Sequence, residues 1–139
     1  MVAGGVMHWR QEFSLGILEI DDQHKTLIRS FGAIEEAIKQ GQAWSTVYFS
    51  LADLREFARF HFTCEEALMR LHGFPDVPLH AAEHAHFCSV LAEVEKDHIR
   101  RPIEKGMIES LRMWLINHIA VSDRDFAQHI LAGAAVSRS

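Results

Sequence analysis

The chain is short of cysteine: it has two, Cys64 and Cys88, with no CxxC spacing. That fits a reducing compartment better than a disulfide framework. Basic clusters are missing as well. The 14 Lys and Arg against 19 Asp and Glu give a formal charge of -5, and Arg100-Arg101 is the only adjacent basic pair. A nucleic-acid surface, which needs clustered cations, is therefore not expected. No apolar run approaches the roughly 18 residues of a membrane span. The N-terminus also lacks the charged-then-apolar order of a secretion signal, so the expected location is cytoplasmic, with no membrane partner. There is no strand-like alternation, internal repeat, low-complexity tract or second domain. What remains is ordinary for one soluble domain, with 48% hydrophobic and 24% charged residues in 139.

Against these shortages stand 10 histidines. The stretch from His61 to His84 holds two i,i+4 pairs, His61 with Glu65 and His80 with His84, separated by the turn signal Gly73-Phe74-Pro75-Asp76. Residues four apart share a helix face, so each pair offers two side chains to one point.

Residues 1–20 have no sustained period but carry Trp9, Phe13, Leu15, Ile17, Leu18 and Ile20, which suggests an ordered arm packed on the body. Asp21 suits a helix N-cap, and His24, Leu27, Ile28, Phe31, Ile34 and Ile38 follow on one stripe that ends at Gly41. Ser45 or Thr46 can cap a longer helix with the inward stripe Leu51, Leu54, Phe57, Ala58, His61, Glu65, Leu68, Met69, stopped by Gly73. Asp76 and Pro78 restart the chain with the stripe His80, His84, Phe87, Leu91, Val94, while Glu83, Glu93, Glu95 and Lys96 fall on other sides. Arg101-Pro102 breaks that helix. A fourth begins near 102–104, carries Met107, Ile108, Leu111, Leu115, His118, Ile119, Ser122 and Asp123, and fades after Leu131. The expected fold is all-α: an antiparallel up-down-up-down four-helix bundle over 21–132, with the N-terminal arm 1–20 and a short tail 133–139.

Every helix thus brings histidine to its inward stripe: His24, His61, His80 with His84, and His118. Glu65 and Asp123 accompany them. One such histidine is ordinarily a hydrogen-bonded core residue. Five imidazoles and two carboxylates in one apolar interior are not explained that way, because only a cation satisfies so many lone pairs together. With both carboxylates and one solvent-derived oxygen shared between two metals, the donors fill all but one position of two octahedra. A six-coordinate, carboxylate-bridged pair favours iron or manganese over tetrahedral zinc. The excess of neutral imidazole disfavours highly oxidised iron, so such a site should bind oxygen and release it.

The chain resembles a hemerythrin of the bacterial single-domain kind. The resemblance rests on Trp9, Gly16-Ile17, Ile20-Asp-Asp-Gln-His-Lys25, His61-Phe-Thr-Cys-Glu-Glu66 with Met69, His80 and His84, Trp114-Leu-Ile-Asn-His-Ile119, and Asp123. It implies two non-haem iron ions with a bridging oxo or hydroxo group. His80, His84 and His118 would hold one iron, His24 and His61 the other, and Glu65 and Asp123 would bridge. Dioxygen would bind at the iron of His24 and His61.

One spacing resists helix geometry: His118 and Asp123 are five residues apart, about 140° around an α-helix. Asp123 must reach sideways, helped by a local wide turn, and Asp125 is the rival carboxylate. Leu115 and Ile119, with Phe62 or Trp114 nearby, are expected to roof the open position and exclude water. His8, His72, His86, His98 and His129 are expected at the surface, and Cys64 and Cys88 as small core residues. The expected role is non-catalytic oxygen storage, delivery or sensing, by a monomer or weak homo-oligomer whose protein partner is not legible. The alternatives are a di-iron peroxidase, oxidase or nitric oxide reductase on the same scaffold, or metals that only staple the bundle.

Overall fold

The apolar stripes become helices in the computed structural model of the chain, which describes residues 5–99 and 101–137. They are α1 (Leu18–Lys39), α2 (Trp44–Leu71), α3 (Val77–His98) and α4 (Lys105–Asn117). A π-helical stretch, His118–Asp123, carries α4 on into α5 (Arg124–Ser137). These last three pieces form one rod, so the architecture is a four-helix bundle, with no strand among the described residues. Residues 1–4 of the expected arm, Arg100, and residues 138–139 of the expected tail lie outside the described part.

Helix ends differ from the sequence reading in three places. Asp21 does not cap α1, which begins at Leu18. Its buried carboxylate turns back instead, accepting hydrogen bonds from Ser14 Oγ at 2.5 Å and the Leu15 amide at 2.8 Å, and so ties the arm to the helix. α2 starts at Trp44, ahead of Ser45 and Thr46, with no side-chain cap. α5 continues to Ser137 through most of the expected tail. The stop at Gly73 is as expected: its φ of +64° lets the Phe74 amide reach back to the Met69 carbonyl at 2.9 Å.

Two apolar clusters form, and the polar stripe residues fall between them. The main core takes Leu27, Ile28 and Phe31 from α1, Leu54 and Ala58 from α2, Phe87 and Leu91 from α3, and Leu115 and Ile119 from the fourth rod. The smaller one joins Leu15, Ile20, Met69, Phe74, Phe126 and Ala127. Along each rod the order is the same. His24 lies between Ile20 and Leu27, His61 and Glu65 between Ala58 and Met69, and His80 and His84 between Phe74 and Phe87. His118 and Asp123 lie between Leu115 and Phe126. Burial of each large side chain contributes about 1.5–3 kcal/mol, so the two clusters clamp a polar layer that contributes nothing of that kind.

The arm is part of the core. Met7 is buried in the main cluster, and Trp9 and Phe13 pack against it. The Met7 amide donates to Glu35 Oε1 at 2.6 Å, and Arg112 bonds both Glu35 and the Gly5 carbonyl. The arm crosses α1 at Gly32, where a Cβ would stand 2.0 Å from the Met7 carbonyl oxygen. Gly32→Ala is therefore expected to destabilise by about 1–3 kcal/mol, as overpacking does, even though alanine favours a helix by about 1 kcal/mol. Urea unfolding measures it; an unchanged or higher midpoint would contradict this close approach.

Two outward assignments are corrected. Glu95 is buried and pairs with Arg55 of α2, which compensates its charge. His98 is buried too, at 5% exposed, because the end of α3 is covered by the connection to α4. Cys64 and Cys88 are half-buried, so neither is a full core residue.

Candidate metal centre

All seven side chains proposed from the stripes, His24, His61, Glu65, His80, His84, His118 and Asp123, are at most 3% exposed. They meet in one layer and fall into two overlapping groups. Glu65, His80, His84, His118 and Asp123 offer donor atoms within 4.8 Å of one another, and so do His24, His61, Glu65 and Asp123. Glu65 and Asp123 belong to both. Asp125 is exposed and takes no part.

The π-helical stretch explains Asp123. Its i→i+5 repeat closes the angle between residues five apart, and Asp123 Oδ1 comes to 3.1 Å from His118 Nε2 and 2.9 Å from His80 Nε2. The widened turn thus puts both ends of the stretch on one face.

Three polar side chains that the stripes did not reveal orient the imidazoles from outside. Gln23 of α1 bonds His61 Nδ1 of α2 at 2.7 Å, and Glu66 of α2 bonds His84 Nδ1 of α3 at 2.8 Å. Glu83 of α3, held by the Ser122 hydroxyl, faces His118 Nδ1 of the fourth rod at 3.4 Å. Each comes from the preceding helix and sits beside a stripe residue in sequence, a signal readable only once the helix order is known. For His61 and His84 the acceptor at Nδ1 fixes the proton there and leaves the Nε2 lone pair pointing inward, whereas Glu83 approaches His118 Nδ1 without a hydrogen bond.

That tautomer makes the inner contacts unfavourable without a cation. The inward lone pair of His84 Nε2 stands 3.0 Å from His118 Nε2. His24 Nε2, His61 Nε2, Glu65 Oε2 and Asp123 Oδ2 are buried with no hydrogen-bond partner among the described residues. His24 Nε2 lies 3.0 Å from Asp123 Oδ2, but without the alignment of a hydrogen bond. The donor set of imidazole and carboxylate therefore fits a pair of divalent cations.

Without metal, protons must do the same work. Burial disfavours the charged His24 ring, but Asp123 and Glu65 outweigh it and lift the group from 6.5 to about 9. His80 behaves the same way and also reaches about 9. Burial pushes Glu65 up, yet the imidazoles of His24, His61, His80 and His84 hold it well below the ordinary carboxylate range. Asp123 is likewise held down, against burial and the Glu65 charge, by His118 and His24. The raised histidines stabilise the metal-free fold fully below pH 6.5, and that stability is lost as pH rises through about 9. Loading a divalent cation near neutral pH should therefore release protons, and fewer as pH passes about 9. Calorimetry in buffers of different ionisation enthalpy reads the release directly; a loading heat independent of buffer at neutral pH would contradict it.

The expected roof residues lie as follows. Phe62 stacks face to face on His84, centroids 3.9 Å apart at 6°, and Trp114 stacks on His118 at 4.7 Å and 8°. Both therefore wall the three-histidine group, although Phe62 also lies 5.5 Å from His61. Leu115 and Ile119 are fully buried in the main core.

Residues 15–130 match the family model described as the Hemerythrin HHE cation binding domain. A "Bacteriohemerythrin" of Methylococcus capsulatus is 30% identical over 122 residues, covering 86% of this chain and 92% of that one. A "Bacteriohemerythrin" of Clostridium acetobutylicum is 27% identical over 124 residues, covering 85% and 96%. A crystal structure of wild-type hemerythrin superposes with a TM-score of 0.80 at 28% identity, over 88% of this chain and 95% of that chain.

Proposed function

The chain belongs to the hemerythrin family, and from that premise we propose that it binds dioxygen reversibly at a pair of non-haem iron ions. His80, His84 and His118 would hold one ion and His24 and His61 the other, with Glu65 and Asp123 between them. The observation that carries the reading is the pair of overlapping donor groups, which share Glu65 and Asp123 and hold buried ring and carboxylate atoms without hydrogen-bond partners among the described residues. When bound, a pair of ferrous ions held by these residues would supply reversible redox chemistry toward dioxygen.

The chain's own residues favour binding over catalysis. Of the polar side chains beside the cluster, Gln23 and Glu66 are hydrogen-bonded to ring nitrogens and Glu83 accepts from the Ser122 hydroxyl, so none is poised to shuttle protons to a substrate. Phe62 and Trp114 stack on His84 and His118, and Leu115 and Ile119 are buried in the core on that side, apolar groups that would keep water and stray proton donors away. Leu115→Ser should accordingly accelerate irreversible oxidation of the oxygenated protein several-fold with metal content intact; optical decay in air measures it, and an unchanged decay removes the role of Leu115.

Titrating the reduced protein with oxygenated buffer separates binder from enzyme. Uptake that stops at one equivalent per chain and reverses under argon is expected. Continued consumption with added reductant, peroxide or nitric oxide would favour the enzymatic alternative. Storage, delivery and sensing all begin with this step.

A further inference from the structure

The side of α2 that faces away from the bundle keeps three large apolar residues in water. Phe49 is 65% exposed, Phe60 56% and Leu71 78%. They are eleven residues apart, about three turns of helix, so all three stand on one line along an almost straight rod. Single exposed apolar residues are ordinary, but an aligned set is the seam pattern of a helix that meets another helix.

The polar residues beside that line are ordered. The acids Asp53 and Glu56 lie between Phe49 and Phe60, while the other half holds the small Thr63 and Ala67 and ends with Arg70 next to Leu71. Glu56 is matched on its own helix by Arg55 at 3.2 Å and Arg59 at 3.6 Å, whereas Asp53 has no ion pair among the described residues. Arg70 reaches only Glu66, at 3.8 Å, and its side chain is 64% exposed. Turning the helix end for end about Phe60 carries Phe49 onto the place of Leu71 and Asp53 to within one turn of Arg70. A face complementary to its own reversal is what a two-fold interface between identical chains requires. Parallel pairing would instead set Asp53 against Asp53 and Arg70 against Arg70, which like charge opposes.

We propose that this outer face of α2 is a docking surface for a second copy of the chain, with the two α2 helices antiparallel about an axis near Phe60. The two Phe60 rings meet at the axis. Each Phe49 packs on Leu71 of the second copy, and each Asp53 pairs with Arg70 of the second copy. The contact runs about 33 Å along a single helix, which puts it at the small end of specific interfaces, so the dimer is weak and reversible.

Sedimentation velocity of the full chain from about 5 µM to about 1 mM tests it, with dimerisation of Kd on the order of 100 µM expected. Phe60→Glu places two carboxylates at the axis and should weaken the dimer at least about tenfold. The exposed position leaves the melting temperature of the dilute chain as it was. Leu71→Glu, at the end of α2 and facing the acidic half of the second copy, should weaken it similarly and serves where Phe60→Glu does not fold. Asp53→Arg and Arg70→Asp should each weaken association about fivefold or more, and the chain carrying both should return to within about twofold of the native Kd. A monomer throughout the range would leave the face to some other partner and overturn the proposal. A dimer that survives Phe60→Glu and Leu71→Glu lies elsewhere on the molecule and would overturn it too. Failure of the double charge exchange to recover association would contradict the antiparallel pairing.

Discussion

Replacing Asp123 with alanine is expected to reduce the metal content from about two ions per chain to well below one, while the helical circular dichroism is kept. Asp123 belongs to both donor groups and approaches His24, His80 and His118 at 2.9 to 3.1 Å. Its loss would take a carboxylate from each donor group and leave five imidazoles facing Glu65 alone. Lone pairs so close together repel unless protonated, so the variant should hold protons where the proposed site would hold cations. Asp125→Ala is the control. Asp125 is two residues further on and exposed, and its removal should leave the metal content as it was. Elemental analysis of both variants after identical loading decides between the two carboxylates. Full content in Asp123→Ala, or loss in Asp125→Ala, would contradict the assignment.

Phe126→Ala should cost about 3–5 kcal/mol, a large share of the roughly 5–15 kcal/mol that holds a domain together. Phe126 is fully buried and meets Phe74 edge-on at 5.2 Å, and Phe74 in turn lies 6.4 Å from His80. It is the largest side chain that α5 gives to the smaller core, so its removal frees the rod just beyond Asp123. The metal-free variant should melt about 10–15 °C below the native chain. Metal binds only the folded state and should raise the melting temperature of both chains by mass action, the variant's by less because its rod is freed beside Asp123. A drop below about 1 kcal/mol in the metal-free protein would show that the smaller cluster does not hold the rod. Equal losses with and without metal would show that the layer and the cluster are not coupled.

The sequence makes the four rods and six of the seven polar stripe residues legible for one reason, while Asp123 rests on the family resemblance. Helical period links residues three and four apart, and every stripe that carries histidine also carries enough Leu, Ile and Phe to say which way it faces. Relations of that kind include His61 with Glu65 and His80 with His84. Relations between helices are not written in any period. Gln23, Glu66 and Glu83 look like ordinary surface polar residues until the neighbouring helix brings a ring nitrogen to each. Glu95 looks outward for the same reason, and only the approach of Arg55 from α2 lets it be buried. Asp123 is an intermediate case: a regular helix turns it away from His118, and the widened turn that corrects this leaves no mark in residue type. Asp21 shows the converse, a good capping residue used to anchor the arm. His98 was hidden because what covers it is an irregular connection, where period says nothing about burial.

The central claim, an oxygen-binding iron pair in this layer, is tested most directly by one combined measurement. Iron, manganese and zinc are quantified in the purified chain, and absorption spectra are recorded as the reduced protein is cycled between argon and air. About two irons per chain and a visible band that appears in air, fades under argon and returns over repeated cycles is the predicted result. Two zincs per chain, or a change in air that never reverses, would contradict it.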